Sequence, residues 1–599
     1  MMTAHSFHIP VMGLGYTVET PAKVAHFGIS SVISIVEDNL IEKMRKMYYE
    51  REGLEYQEIK LKDEDYRAKR ITSYLNIIKR VVDANFERLK SQEFEAGTQL
   101  TNYFELLPDN ADLKKLYLEM LSADETDKLE LGKELKAKMI KGSIDVNIMT
   151  KLDKFNYDKN GEQLAPEFCD AMAALRGFAL SDLNSGIVFS AGMNPRLFSY
   201  CTSFPDFFPD KNGNFKKQII LKVSDYRSAL IQGKFLAKKG LWVTEFRIES
   251  GLNCGGHAFA SGGTLLGPIM EEFKTKKQEL VAELKQICEK TWKEMGLENI
   301  SPSLKITVQG GVGTANEHNF LLEHYQVDSV GWGSPFLMVP EVLSIDNESL
   351  SLLVNAKKED YYLSDASPLG VPFNNIKNTS SELLIQTRMD KNRPGSPCYK
   401  KFLQFDTEFT KIPICTASRE YQNLKEIQMK QPETPEKVIK KGEEILKVKE
   451  CLCEGLAASA LMANGIEPDR NLSAVSICPG PNLAYFSGIF SMKSMIGHIY
   501  GKENLLNSLE RPHMFVNELE LNIKYLKNQI RKFTDETIEQ QIKFVETFKN
   551  NLFEGINYYK ELADSMKAET KTFIEKMKND LEEIENELFQ ITIGEPELA

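Results

Sequence analysis

Three glycine-bearing stretches hold the residue types that could do chemistry: 308–315 (VQGGVGTA), 331–336 (GWGSPF) and 250–259 (SGLNCGGHAF). Glycine lets backbone N–H groups approach an anion closely, and a helix starting just beyond adds the positive end of its dipole. Either of the first two runs alone could be an ordinary turn. Each follows an apolar, strand-like segment, and together they read as two halves of one phosphate site. In the third stretch His257 follows Gly255-Gly256, so the chain can turn sharply and present an imidazole. A lone loop histidine usually has no chemical role. One beside a phosphate site has the ordinary pKa to exchange a proton near neutrality.

The elements that must position these residues alternate strand and helix. HIPVMGLG and GISSVISIV flank the helical TPAKVAHF, and IDVNIM, IVFSAG, QIILKV, WVTEFRIE, LKITVQ and DSVGWG follow in order, each with a plausible helix after it. Eight such units predict an α/β fold, a (β/α)8 TIM barrel, in which the loops after strands seven and eight are neighbours and commonly bind phosphate. The expected organisation is two barrel strands in 1–36, a helical insertion in 37–142, the remaining barrel in 143–345, a mixed barrel-covering region in 346–510 and a helical C-terminal extension in 511–599. Ile71, Tyr74, Leu75, Ile78, Val81 and Val82 keep helical spacing within the insertion. Its place after the second strand puts its base at the catalytic rim, where it is expected to narrow access as a lid. The stripe Phe573, Met577, Leu581, Ile584, Leu588 fits helices packed on the barrel wall or a coiled-coil contact that would make a homo-oligomer.

Composition narrows the function classes. The 599 residues carry a net charge of −12, from 74 Lys and Arg against 86 Asp and Glu, which argues against a nucleic-acid partner. No apolar run approaches the ~18 residues of a membrane span, and the first residues lack a signal-peptide layout. Nine cysteines then read as reduced thiols of a cytoplasmic chain. Cys398, Cys415, Cys451, Cys453 and Cys478 cluster late in the sequence, but no Cys-x-x-Cys pair occurs, so separate buried thiols and no metal site are expected.

With the segments in this order, the chain resembles the nitronate monooxygenase (2-nitropropane dioxygenase) family and the related FMN-dependent enoyl-ACP reductases. The likeness rests on Pro10-Val11-Met12-Gly13-Leu14-Gly15, Val146-Asn147, Gly192-Met193-Asn194-Pro195, Gly255-Gly256-His257, Gly310-Gly311 and Gly333-Ser334. It covers roughly 8–36 and 143–341, and more loosely 364–376 and 478–500. The resemblance implies FMN as cofactor, held by Met12, Gly13, Asn147, Gly192, Asn194, Lys222, Gly255, Gly256, Gly310, Gly311, Gly333 and Ser334, with His257 catalytic. Lys222 ends the fifth strand, where its ammonium could approach the flavin N1/O2 edge; a salt-bridged lysine is the plainer alternative. Asn147 and Asn194 could donate to ring oxygens; turn formation, which asparagine favours, is the plainer alternative. Asn253 stands where the family carries an acidic residue, and Ser334-Pro335 where it carries Thr-Arg, so an arginine is missing.

The implied activity is an FMN-dependent oxidoreductase that oxidises a nitronate or nitroalkane-like small substrate with O2. Two alternatives stay open: an enoyl-thioester reductase drawing on NAD(P)H, and a flavin-binding module without turnover. No separate Rossmann fingerprint is present, which disfavours a tightly held nicotinamide.

Overall fold

Eight short apolar segments, buried on both faces as parallel strands require, close on one another in sequence order. They are β1 (Phe7–Ile9), β2 (Ser30–Ser34), β3 (Ile144–Met149), β4 (Ser185–Ser190), β5 (Lys217–Val223), β6 (Val243–Glu249), β7 (Lys305–Gln309) and β8 (Ser329–Gly331). β8 pairs back onto β1 through His8↔Gly331, which completes the TIM barrel. β1 stops at Ile9 because Pro10 brings no N–H to the ladder. β4 starts two residues earlier than its apolar run and ends at Ser190, short of Gly192. The computed structural model describes every residue except 1–2, 159, 191, 534–537, 567–568 and 593–599.

After α1 (Thr20–Val24) and β2, the chain runs through five helices: α2 (Asp38–Arg51), α3 (Tyr66–Lys90), α4 (Gln99–Glu105), α5 (Asp112–Ser122) and α6 (Glu125–Lys138). The insertion is helical, and one of its helices belongs to the barrel wall. α3 packs along α1 and α7 (Asp170–Ala179), and it buries Ile71, Tyr74, Leu75, Ile78, Val81 and Val82. Its start is anchored by buried ion pairs: Arg67 meets Asp38 and Asp170, and Arg70 meets Asp38 at 2.9 Å. No described residue of 37–142 lines the cavity at the barrel mouth. The lid expected there lies elsewhere, because α3 is drawn down onto the wall by its apolar face.

The mouth is covered by later segments. A two-stranded antiparallel sheet, β9 (Tyr361–Ser364) with β10 (Phe373–Ile376), docks on the third glycine stretch: Ala258 N donates to Pro372 O at 2.8 Å, and Asn374 N to Gly256 O at 2.9 Å. Gly15 N donates to Leu456 O at 3.0 Å, and Gly256 N to Cys478 O at 3.2 Å, so two further segments are stitched over the opening.

The C-terminal helices Met514–Arg531, Ile538–Ala563 and Lys571–Gln590 lie against the barrel. Buried Glu518 accepts from Leu266 N, Ser250 Oγ and Tyr559 Oη, which ties two of them to β6 and to the helix Leu266–Glu294. Of the expected stripe, Met577, Leu581, Ile584 and Leu588 are buried within the chain and Phe573 is half-buried, so those four are spent on internal packing. Among the described residues no helix is long and apolar enough to cross a membrane.

Candidate functional site

The C-terminal ends of the strands enclose a cavity of about 190 Å³. Its floor comes from residues at or near the ends of strands β2 to β8. Lys222 on β5 lies 2.7 Å from Glu249 Oε1 at the end of β6, and Gln309 Nε2 at the end of β7 donates to the same oxygen at 2.8 Å. Lys222 is therefore the salt-bridged lysine of the plainer reading and also lines the cavity. Asn147 Oδ1 is buried there without a hydrogen-bond partner among the described residues, while Gln309 Oε1 faces buried His8. A buried acceptor left unpaired costs about 1–3 kcal/mol, so one on the cavity floor points to a ligand that donates.

The opposite end is built from the two glycine loops. Gly310 and Gly311 take φ of +109° and +86°, which side chains rarely adopt. A Cβ at Gly311 would overlap Asn253 Nδ2, and one at Gly310 would stand 2.6 Å from Cys254 Sγ. The N–H groups of Gly310, Gly311 and Val312 have no acceptor among the described residues. Behind them the helix Ala315–His324 begins, with Thr314 Oγ1 capping Glu317 N at 3.1 Å. Gly333 and Ser334 close the other side, and Ser334 Oγ accepts from Gly480 N at 2.7 Å. Glycine conformation, uncommitted N–H groups and a helix start form an anion cradle.

His257 reaches the cavity between floor and roof. Its Nε2 lies 2.7 Å from Ser367 Oγ, and its ring meets Phe373 edge-on at 5.2 Å. Nδ1 has no partner among the described residues. Burial, with a smaller push from Lys151, lowers its pKa to about 4. The expectation of titration near neutrality is thereby corrected. No carboxylate stands by to stabilise the imidazolium, and desolvation favours the neutral ring.

Met12, Gly13, Gly255 and Gly256 also line the cavity, and a side chain at Gly255 would overlap Cys478 O. Gly192 and Asn194 do not. Gly192 is exposed, and its carbonyl accepts from Thr150 Oγ1 at 2.7 Å. Asn194 Oδ1 caps the helix Pro195–Tyr200 through Leu197 N at 3.0 Å, and its Nδ2 donates to Thr150 O and Asp153 Oδ2. Asn-Pro here is a helix start, not a ring contact.

Glu249 and Gln309 were not among the residues expected at the site, although strand ends in a barrel are where such groups gather. The roof comes from the expected barrel-covering region 346–510, but its residues, Phe373, Phe402, Leu403, Leu452 and Leu456, come from separate segments and were not singled out. Nor are the late cysteines all separate. The Cys398 and Cys415 thiols are in hydrogen-bonding contact, which lowers the first and raises the second. All nine cysteines are free.

No protein-family model matches the chain, and no curated protein does. Among solved structures it is similar to FabK from Thermotoga maritima, at 12% identity and a TM-score of 0.30, over 68% of this chain and 85% of that one. A point variant of FabK aligns at 11% identity and a TM-score of 0.30, over 64% and 81%. The enoyl reductase domain of MlnA, from the macrolactin biosynthesis cluster of Bacillus amyloliquefaciens, aligns at 12% and 0.31, over 69% and 89%.

Proposed function

We propose that this chain is an FMN-dependent oxidoreductase whose cofactor occupies the cavity at the barrel mouth. One observation carries the reading: a partnerless buried acceptor, Asn147 Oδ1, shares a cavity with a glycine cradle built for a single anion. FMN matches that pairing, with one ring N–H at one end and one phosphate at the other. When bound, it supplies the capacity to accept or give a hydride.

The chain's own residues do the rest. Gly310, Gly311, Val312, Gly333 and Ser334 would hold the phosphate, while Asn147, Gln309 and Lys222 would hold the ring. The Lys222 charge is offset by Glu249, so that end of the site is close to neutral. His257 holds a neutral imidazole toward the cavity, and Phe373, Phe402, Leu403, Leu452 and Leu456 exclude water. At neutral pH a ring with a pKa of about 4 stands in its proton-accepting form, as a weak base, with almost no imidazolium present to give a proton. That favours removal of an acidic proton from carbon, as oxidation of a neutral nitroalkane with O2 requires.

The second reading, reduction of an enoyl thioester with NAD(P)H, is favoured by the apolar roof, which suits an acyl chain. The absorption spectrum of the purified protein tests the cofactor, and anaerobic mixing tests the substrate. Bleaching by a nitronate supports oxidation, and bleaching by NAD(P)H supports reduction. Bleaching by neither leaves a flavin-binding module, and a protein that stays colourless with added FMN overturns the proposal.

A further inference from the structure

The glycine cradle is held from outside the cavity by a residue far away in sequence. Arg511, at the start of the C-terminal extension, donates from Nη2 to Gly311 O at 2.7 Å, from Nε to Asn482 Oδ1 at 2.8 Å and from Nη1 to Glu317 Oε1 at 2.6 Å. Glu317 in turn accepts from Gly313 N at 2.8 Å, and Asn482 donates to Val312 O at 2.8 Å. Arg511 and Glu317 are both buried, and Arg511 does not line the cavity. A Cβ at Gly313 would stand 2.6 Å from Arg511 Nε, so the guanidinium lies flat against the loop.

In a trans peptide the carbonyl and the following N–H point in opposite directions. Fixing Gly311 O toward the guanidinium therefore turns Val312 N–H the other way, toward the cavity that Val312 lines. The next peptide is held at both ends, its carbonyl by Asn482 and its N–H by Glu317. We infer that Arg511 is the positioning residue of the phosphate cradle. It acts through the loop's carbonyls and not by contact with the phosphate. The inference rests on the flavin reading above.

The test is the ratio of FMN to riboflavin affinity, because the two ligands differ only by the phosphate. Flavin fluorescence quenching gives both dissociation constants on the full chain. Arg511→Met alone would leave Glu317 buried and unpaired, so Arg511→Met is combined with Glu317→Gln, and Arg511→Lys serves as the charge-conserving variant. The wild type should prefer FMN. Both variants should lose that preference by about tenfold or more, the factor that one hydrogen bond to a charged group is typically worth. Their riboflavin affinity should be unchanged. Variants that keep the full preference overturn the inference, and so does an equal loss of both ligands, which would mark a general scaffold role. A wild type that binds neither flavin, or both alike, overturns the cofactor reading instead.

Discussion

The protonation state of His257 separates the two chemistries, and the pH dependence of turnover reads it directly. With a pKa lowered to about 4 by burial, about one imidazole in 1,000 is protonated at pH 7. Reaching the imidazolium then costs about 4 kcal/mol, three pH units at 1.36 kcal/mol each. The neutral ring, by contrast, is already present. If His257 takes a proton from the substrate, kcat/KM on a freshly dissolved neutral nitroalkane should change by only a few per cent between pH 8 and 5.5, and fall only as pH drops through about 4. A base with the ordinary pKa of ~6.5 would lose about tenfold over that window. An imidazolium acting as acid from a pKa of about 4 would gain roughly 300-fold. His257→Gln should lower kcat/KM by about 10²–10⁴-fold while the flavin stays bound, and a preformed nitronate should suffer less. The assay is anaerobic stopped-flow reduction of the bound flavin across pH, with the variant as baseline. A tenfold fall between pH 8 and 5.5 that vanishes in the variant would refute the reasoning that burial sets this pKa.

Other outcomes follow from the same geometry. Asn147→Leu removes an acceptor that has no partner, so the flavin-free protein should melt at the same temperature or higher while its Kd for FMN rises about tenfold. Gly311→Ala forces a side chain into φ +86° and against Asn253; at about 1–2 kcal/mol for the conformation alone, flavin content after purification should drop sharply. Burial raises the pKa of Glu518, so the native state holds its proton more tightly than the unfolded chain does, and stability falls as pH rises above the ordinary carboxylate range. Glu518→Gln can keep the bonds to Leu266 N, Ser250 Oγ and Tyr559 Oη. In urea melts its advantage over wild type should be larger at pH 8 than at pH 5, whereas Glu518→Ala should lose about 3 kcal/mol at pH 5 and less at pH 8.

Local signals placed much of this molecule. Strand-like segments of six to nine residues named all eight strands, because a parallel strand buried on both faces must be largely apolar. Glycine pairs marked the cradle and the His257 loop, since positive φ and close approach admit little else. Asn147 and Lys222 were legible as polar residues near strand ends, where a barrel gathers its chemistry. The same local logic misplaced Asn194, whose Asn-Pro spacing is equally that of a helix cap.

What depended on packing was not legible. The insertion's base sits at the rim by topology, yet α3 is pulled onto the wall by contacts with α1 and α7, and the roof is assembled from residues between 373 and 482. The lowered pKa of His257 is a property of its surroundings, of burial without a carboxylate, and no motif encodes it. Arg511 looks like any arginine before a proline until folding brings it, across 200 residues, against Gly311 O. Residue type and periodicity act over a turn or a strand and so determine the elements and the loops that bear chemistry. Which distant segment closes a cavity, cancels a charge or orients a peptide is decided only by the tertiary structure, where desolvation and hydrogen bonding act between groups that the sequence keeps far apart.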